Sequence, residues 1–224
     1  MRILKGLFLI LIIHFLFSCN FTFMPDRDGN DDTPSLTWSD DMFEKEEQDD
    51  GITKTVFKIN DPAYWTAKGT TIWTVWGENV QTFTERTVSM AKAYGYVSGG
   101  YGMVFCQGEY EVEGRSVHAM LVVMINNLGQ YIMGKAIGGV FTDYGWWKNT
   151  SHLNQTPGSL NEVTVFFDET SHEYCLNING YEVDRFTDNS IPALRSGKNG
   201  YIIVITPYDN FPSVGIDVCF LEEK

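Results

Sequence analysis

Residues 140–154 read VFTDYGWWKNTSHLN. They set three large rings, Tyr144, Trp146 and Trp147, beside Asp143, Lys148 and Asn149. That mixture suits a ligand with flat apolar faces and a fringe of hydroxyls. Indole and phenol rings stack on C–H faces, while amides and charged groups bond the hydroxyls. The candidate ligand-binding residues are therefore Tyr144, Trp146, Trp147 and Asn149. Neighbouring residues of a strand point to opposite faces, so Trp146 and Trp147 should divide, one toward a core and one toward a groove. Trp73 and Trp76, in TIWTVWGEN, are also oddly spaced and should face opposite ways.

Other residues that could do chemistry carry weaker signals. Glu109, Glu111 and Glu113 alternate, so on a strand they would share one face and raise one another's pKa. Gly108 and Gly114 bracket them, which favours a solvated acidic hairpin. In GGYGMVF a strand-like run, not a helix, follows Gly99, Gly100 and Gly102, whereas a phosphate cradle needs a helix N-terminus there. His118, His152 and His172 are far apart and lack metal-ligand spacing. The sequence contains neither G-x-S-x-G nor C-x-x-C. No catalytic residue and no metal ligand is assigned from these patterns.

The elements that must hold these residues read as strands almost throughout. Runs such as TKTVFKI, TTIWTVW, YGMVFCQ, HAMLVVMINN, NEVTVFFDE, GYIIVITP and VGIDVCFLEE are short and rich in β-branched and aromatic residues. Gly, Asn, Asp and Pro separate them at intervals that suit an all-β sandwich. In CLNINGYEV, Asn179-Gly180 stands between two alternating runs and predicts a two-residue hairpin. Asn127 and Gly129 mark a similar turn in INNLGQYIMG. Tight hairpins imply antiparallel neighbours. Residues 80–94 hold five β-branched residues and no clean apolar stripe, so no amphipathic helix is expected there.

The order of several motifs carries a family resemblance. Tyr101-Gly102, Gly129-Gln130-Tyr131, Trp147, Asn161, Asn179-Gly180 and Asp217 follow one another as in the concanavalin A-like jelly roll. The likeness is greatest to the laminin-G-like members found on bacterial surfaces, and it spans residues 52–224. It implies an antiparallel β-sandwich. That fold hosts enzymes, lectins and adhesion modules, so it does not by itself assign chemistry. Its glycosidases use two carboxylates across a cleft, on an E-x-D-x-x-E strand that this sequence lacks. Several members bind calcium, and Asp209 and Asn210 in TPYDNFP offer two oxygens. No other cofactor is expected.

The N-terminus addresses location. Arg2 and Lys5 precede an apolar run of 11 residues from Leu7 to Phe17, too short for a membrane span of about 20 residues. Basic start and short apolar core fit an export signal. Leu16-Phe17-Ser18-Cys19 resembles a bacterial lipobox, which implies cleavage after residue 18 and lipidation of Cys19. Three cysteines then remain, Cys106, Cys175 and Cys219, allowing at most one disulfide. The alternative is that all three are small buried hydrophobes.

Charge divides the chain in the same place. Of the 224 residues, with net charge −13, residues 20–51 hold 11 acids against Arg27 and Lys45. Without Arg2 and Lys5 the exported chain is −15, of which residues 20–51 carry −9 and residues 52–224 carry −6. A segment so acidic repels itself, so residues 19–51 read as a lipidated flexible tether. Trp38, Met42 and Phe43 could instead form a short partner-binding element. Absence of a basic stripe argues against nucleic acid as a partner.

The sequence therefore predicts a signal over residues 1–18, a lipid-bearing tether over 19–51 and a jelly roll over 52–224. The whole would sit in a bacterial cell envelope, facing the periplasm or the cell surface. The expected function is non-catalytic carbohydrate binding or adhesion. Two alternatives remain open: a glycoside hydrolase or lyase, and a structural lipoprotein that binds another protein.

Overall fold

A computed structural model describes residues 43–47, 51–59, 70–112, 114–138, 140–143, 146–187, 194–205 and 216–223. The signal, Cys19, Trp38, Met42, Tyr144, Asp209 and Asn210 lie outside the described residues. Among the described residues the regular structure is fourteen strands: β1 Phe43–Glu47, β2 Ile52–Ile59, β3 Thr70–Val80, β4 Glu85–Tyr94, β5 Tyr101–Val112, β6 Arg115–Asn126 and β7 Gln130–Ile137 come first. β8 Val140–Asp143, β9 Lys148–Asn149, β10 Asn161–Asp168, β11 Glu173–Ile178, β12 Tyr181–Phe186, β13 Gly197–Ile205 and β14 Ile216–Glu223 follow. No helix occurs among the described residues.

Two antiparallel sheets form the sandwich. The first runs β1-β2-β14-β4-β10-β11-β12, and the second runs β3-β13-β5-β6-β7-β8, with β9 also paired to β7. The expected hairpins close the meanders. Asn179 and Gly180 both take positive φ, at 50° and 81°, as a type I′ turn between β11 and β12 demands. At the β6–β7 turn, the carboxamide oxygen of buried Asn126 accepts from the N–H groups of Leu128 and Gln130 at 3.0 and 3.1 Å.

Strand alternation builds two apolar layers. Ala119, Leu121, Val123 and Ile125 of β6 face the first sheet and join Met103, Phe105, Tyr174, Val163, Val165 and Phe220 in the central core. Met120, Val122 and Met124, on the opposite parity, form a second cluster with Val104, Ile132, Ala136, Ile202 and Val204. The second sheet is thus apolar on both faces, which is why its strands read as nearly continuous hydrophobic runs.

One arginine crosses the sandwich. Arg86 of β4 donates to the carbonyls of Val104 and Gly200 in the second sheet at 2.9 and 2.7 Å. It also forks onto both oxygens of Glu222 at 2.7 and 2.9 Å, and Tyr201 donates to Glu222 at 2.7 Å. The opposed charges and hydrogen bonds are what make so deep a guanidinium tolerable.

The boundary placed at residue 52 needs correction. β1 lies inside the segment read as tether, paired with β2 from Phe43↔Phe57 to Glu47↔Thr53. Phe43 is buried, 5.1 Å from the Phe57 ring. Acidity hid this strand: Glu44 and Glu46 are exposed on its outer parity, while Phe43 faces inward.

Candidate functional site

β7 is bordered by two short strands, β8 and β9. Residues 134–137 pair with β8, whereas Gln130 and Tyr131 pair with Asn149 and Lys148 of β9. The tryptophans enter on the segment leading into β9. It is tied down at three points. Gln130 donates its amide to Asn149 at 3.2 Å, and the Thr150 N–H donates to the Gly129 carbonyl at 2.9 Å. Lys148 makes an ion pair with Asp184 of β12, which belongs to the other sheet.

Asp184 is doubly engaged. The Tyr131 hydroxyl, reaching from β7, donates to its carboxylate at 3.2 Å and to the Val183 carbonyl at 3.1 Å. Burial, with the neighbouring Asp184 charge and hydrogen bond, pushes the Tyr131 pKa up to about 12. The phenol therefore stays a proton donor, and β9 is braced against β12 across the sandwich flank.

The two tryptophans divide, though not as expected. Trp147 is half-buried and packs on the outer cluster of the second sheet, not between the sheets. Its ring lies over Gly100 and Met124; a Cβ on Gly100 would meet Trp147 Cη2 at 3.0 Å and Met124 Sδ at 3.2 Å. Gly100 in the GGYG run is thus small because the indole needs its space. Trp146 is 69% exposed. Asn149, three residues on, is exposed and bonded to Gln130. Trp73 and Trp76 pair with Ile202 and Asn199, at positions of opposite parity on β3.

A second ring pair on the same flank was not foreseen. His152, in the loop after β9, stacks on Tyr181 at the start of β12 with centroids 4.1 Å apart and planes 18° apart. Tyr181 is 59% exposed. The Asn179 amide holds this loop by donating to the His152 carbonyl at 2.6 Å. The one sequence signal was that Tyr181 directly follows Asn179-Gly180, where a hairpin tip presents its next side chain to solvent.

Exposed large hydrophobic groups gather at one end. Tyr94, Tyr96, Val97, Leu128, Leu160 and Tyr181 border the β4–β5, β6–β7, β9–β10 and β11–β12 connections, with Trp146 close by. Pairing places these connections together: Asn161 meets Met90, Ile178 meets Val163, and Tyr101 meets Ile125.

The acidic alternation lies at the other end. Glu109 and Glu111 are strand residues of β5 near the tip of the β5–β6 hairpin, paired with His118 and Ser116. Both are exposed, and Glu109 lies 3.3 Å from His118. Between them and the Trp147 end, the outer parity of the second sheet carries the buried methyl, thioether and phenyl groups of Val104, Met120, Val122, Met124 and Phe141. Among the described residues, no three His, Cys, Asp or Glu side chains gather as a metal site.

The described cysteines carry free thiols; Cys106 and Cys175 are buried and Cys219 half-buried. Desolvation raises all three pKa values, Cys106 to about 12. Such thiols are poor nucleophiles at neutral pH.

Known proteins share this architecture. A β-glucanase of Bacillus licheniformis superposes with a TM-score of 0.52 at 8% identity, over 84% of this chain and 95% of that one. The domain has their fold, an antiparallel β-sandwich of jelly-roll type. A carbohydrate-binding module, CBM66, of Bacillus subtilis superposes with a TM-score of 0.49 at 6% identity, over 81% of this chain and 89% of that one. No protein-family model matches the sequence, and no curated protein does. At these identities the likeness shows the jelly roll alone.

Proposed function

We propose that this protein is a non-catalytic carbohydrate-binding module, carried outside the cytoplasm on a lipid attached to Cys19. The observation that carries the reading is Trp146. A large indole is held 69% exposed on a braced segment, three residues before exposed Asn149, and offers a flat apolar face on which a ligand can stack. The adjacent charges, Lys148 and Asp184, are already paired, so the surroundings offer hydrogen bonds without a strong field. That combination suits a neutral, hydroxyl-rich ligand with apolar faces.

A catalytic reading on this fold asks for two carboxylates across a cleft. The outer-face cluster of the second sheet is apolar and buried, so the exposed Trp146 flank is the surface that supports the binding reading. The lipid anchor rests on the lipobox-like LFSC and the acidic segment behind it.

A glycan array with the purified domain tests the reading. Retention of a defined set of neutral glycans, unchanged in length after incubation, is the expected result. Release of reducing sugar would move the protein to the hydrolases or lyases. Failure to bind any glycan, with capture of an envelope protein, would favour the structural alternative. Palmitate labelling lost in Cys19→Ala tests the anchor; labelling that persists would contradict it.

A further inference from the structure

The Lys148–Asp184 bridge has an exposed ring on each side of it. β9 runs toward the aromatic end of the sandwich, and Trp146 stands two residues before Lys148. β12 runs away from that end, and Tyr181 stands three residues before Asp184. The rings therefore lie on opposite sides of the bridge, Trp146 before Lys148 in the second sheet and Tyr181 before Asp184 in the first. Between them is a polar strip: paired Lys148 and Asp184, then exposed Asn149. Tyr181 does not swing freely, because His152 backs it at 4.1 Å.

We infer that this flank binds an extended, uncharged glycan chain, with Trp146 and Tyr181 as two separate stacking platforms. The inference rests on the carbohydrate-binding reading and adds a second subsite and a length requirement. Each ring offers one stacking face, and the Lys148–Asp184 bridge between them keeps the two faces apart as separate contacts. The paired charges between them leave the strip without net charge, which suits hydroxyls better than sulfates or carboxylates. A chain meeting both rings gains the second contact without paying again for lost translation, so affinity should rise with chain length. His152 acts as a positioning residue that keeps the Tyr181 ring facing outward.

The test is an array of linear, uncharged oligosaccharides graded from disaccharide to long chain. It is probed with the wild-type protein, Tyr181→Ala, His152→Ala and Trp146→Ala, with melting curves for each. Wild type should bind long chains more tightly than disaccharides. Tyr181→Ala should lose about tenfold on long chains and nothing on disaccharides, with its melting temperature unchanged. His152→Ala should fall between wild type and Tyr181→Ala. Trp146→Ala should weaken every length. If wild type binds disaccharides and long chains equally, or Tyr181→Ala binds long chains as wild type does, the second platform is wrong while carbohydrate binding stands. If wild type binds no array member, both readings fall together.

Discussion

The two ends of this sandwich are built from different chemistry. One end carries exposed rings and aliphatic groups, Tyr94, Tyr96, Val97, Leu128, Leu160 and Tyr181, with Trp146 on the adjoining flank. At the other, charged groups satisfy each other. Arg195 donates to both Glu169 oxygens and lies 3.6 Å from the Phe167 ring centroid. Arg185 bridges to Asp168, and Arg86 grips Glu222. A surface whose groups already have partners has little left to offer a ligand. Uncovered rings beside polar groups have much to offer. The division assigns stability mainly to one end and recognition to the other.

The sharpest way to break that division is at Arg86. Arg86→Met removes the fork on Glu222, leaving that half-buried carboxylate with Tyr201 as a donor, and takes the guanidinium away from the Val104 and Gly200 carbonyls. The expected loss is about 3–5 kcal/mol of unfolding free energy by urea titration. Glycan affinity of the folded fraction should not change. A loss of affinity with intact stability would reverse the assignment.

Trp147 should show both effects, because it packs over Met124 and Gly100 yet neighbours Trp146. Trp147→Ala should cost about 1–3 kcal/mol of stability, less than a fully buried tryptophan would. Trp146→Ala should change stability by no more than about 0.5 kcal/mol while weakening glycan binding by about 1–3 kcal/mol. Equal melting temperatures for the two variants would contradict the observed split.

Acid should loosen the ionic end first. Burial alone would raise the Glu222 pKa, but hydrogen bonds and charge from Arg86 and the Tyr201 hydroxyl outweigh it and hold the carboxylate below its usual range. Hydrogen bonds from the Thr170 and Ser171 backbone, helped by Arg185, lower Asp168 to about 2. A carboxylate depressed in the folded state contributes stability above its unfolded pKa, and that contribution disappears as pH falls through the folded value. Melting temperature should therefore decline between about pH 5 and pH 2. The decline should be shallower in Arg86→Met; equal slopes would mean Glu222 is not the linked group.

The sequence announced the sandwich more clearly than the site. β-branched runs and the Asn179-Gly180 turn specify antiparallel strands through local preferences that act within a few residues. β1 was missed because its charge pattern resembles a tether; burial of Phe43 against Phe57 depends on a partner strand, not on its own composition. The division of Trp146 and Trp147 followed from strand parity, but the face chosen by Trp147 did not. That depended on the second sheet having an apolar outer layer. The His152–Tyr181 stack and the Asp184 brace join residues 29 and 36 positions apart, brought together by pairing that no local pattern encodes.

The most direct measurement is an NMR titration of the tryptophan indole N–H resonances with a glycan retained on the array, assigned by Trp146→Phe and Trp147→Phe. Recognition at the aromatic end predicts a saturable shift of the Trp146 resonance, larger than that of Trp147. A saturating glycan that leaves Trp146 unmoved while other resonances shift would place the ligand elsewhere and contradict the account.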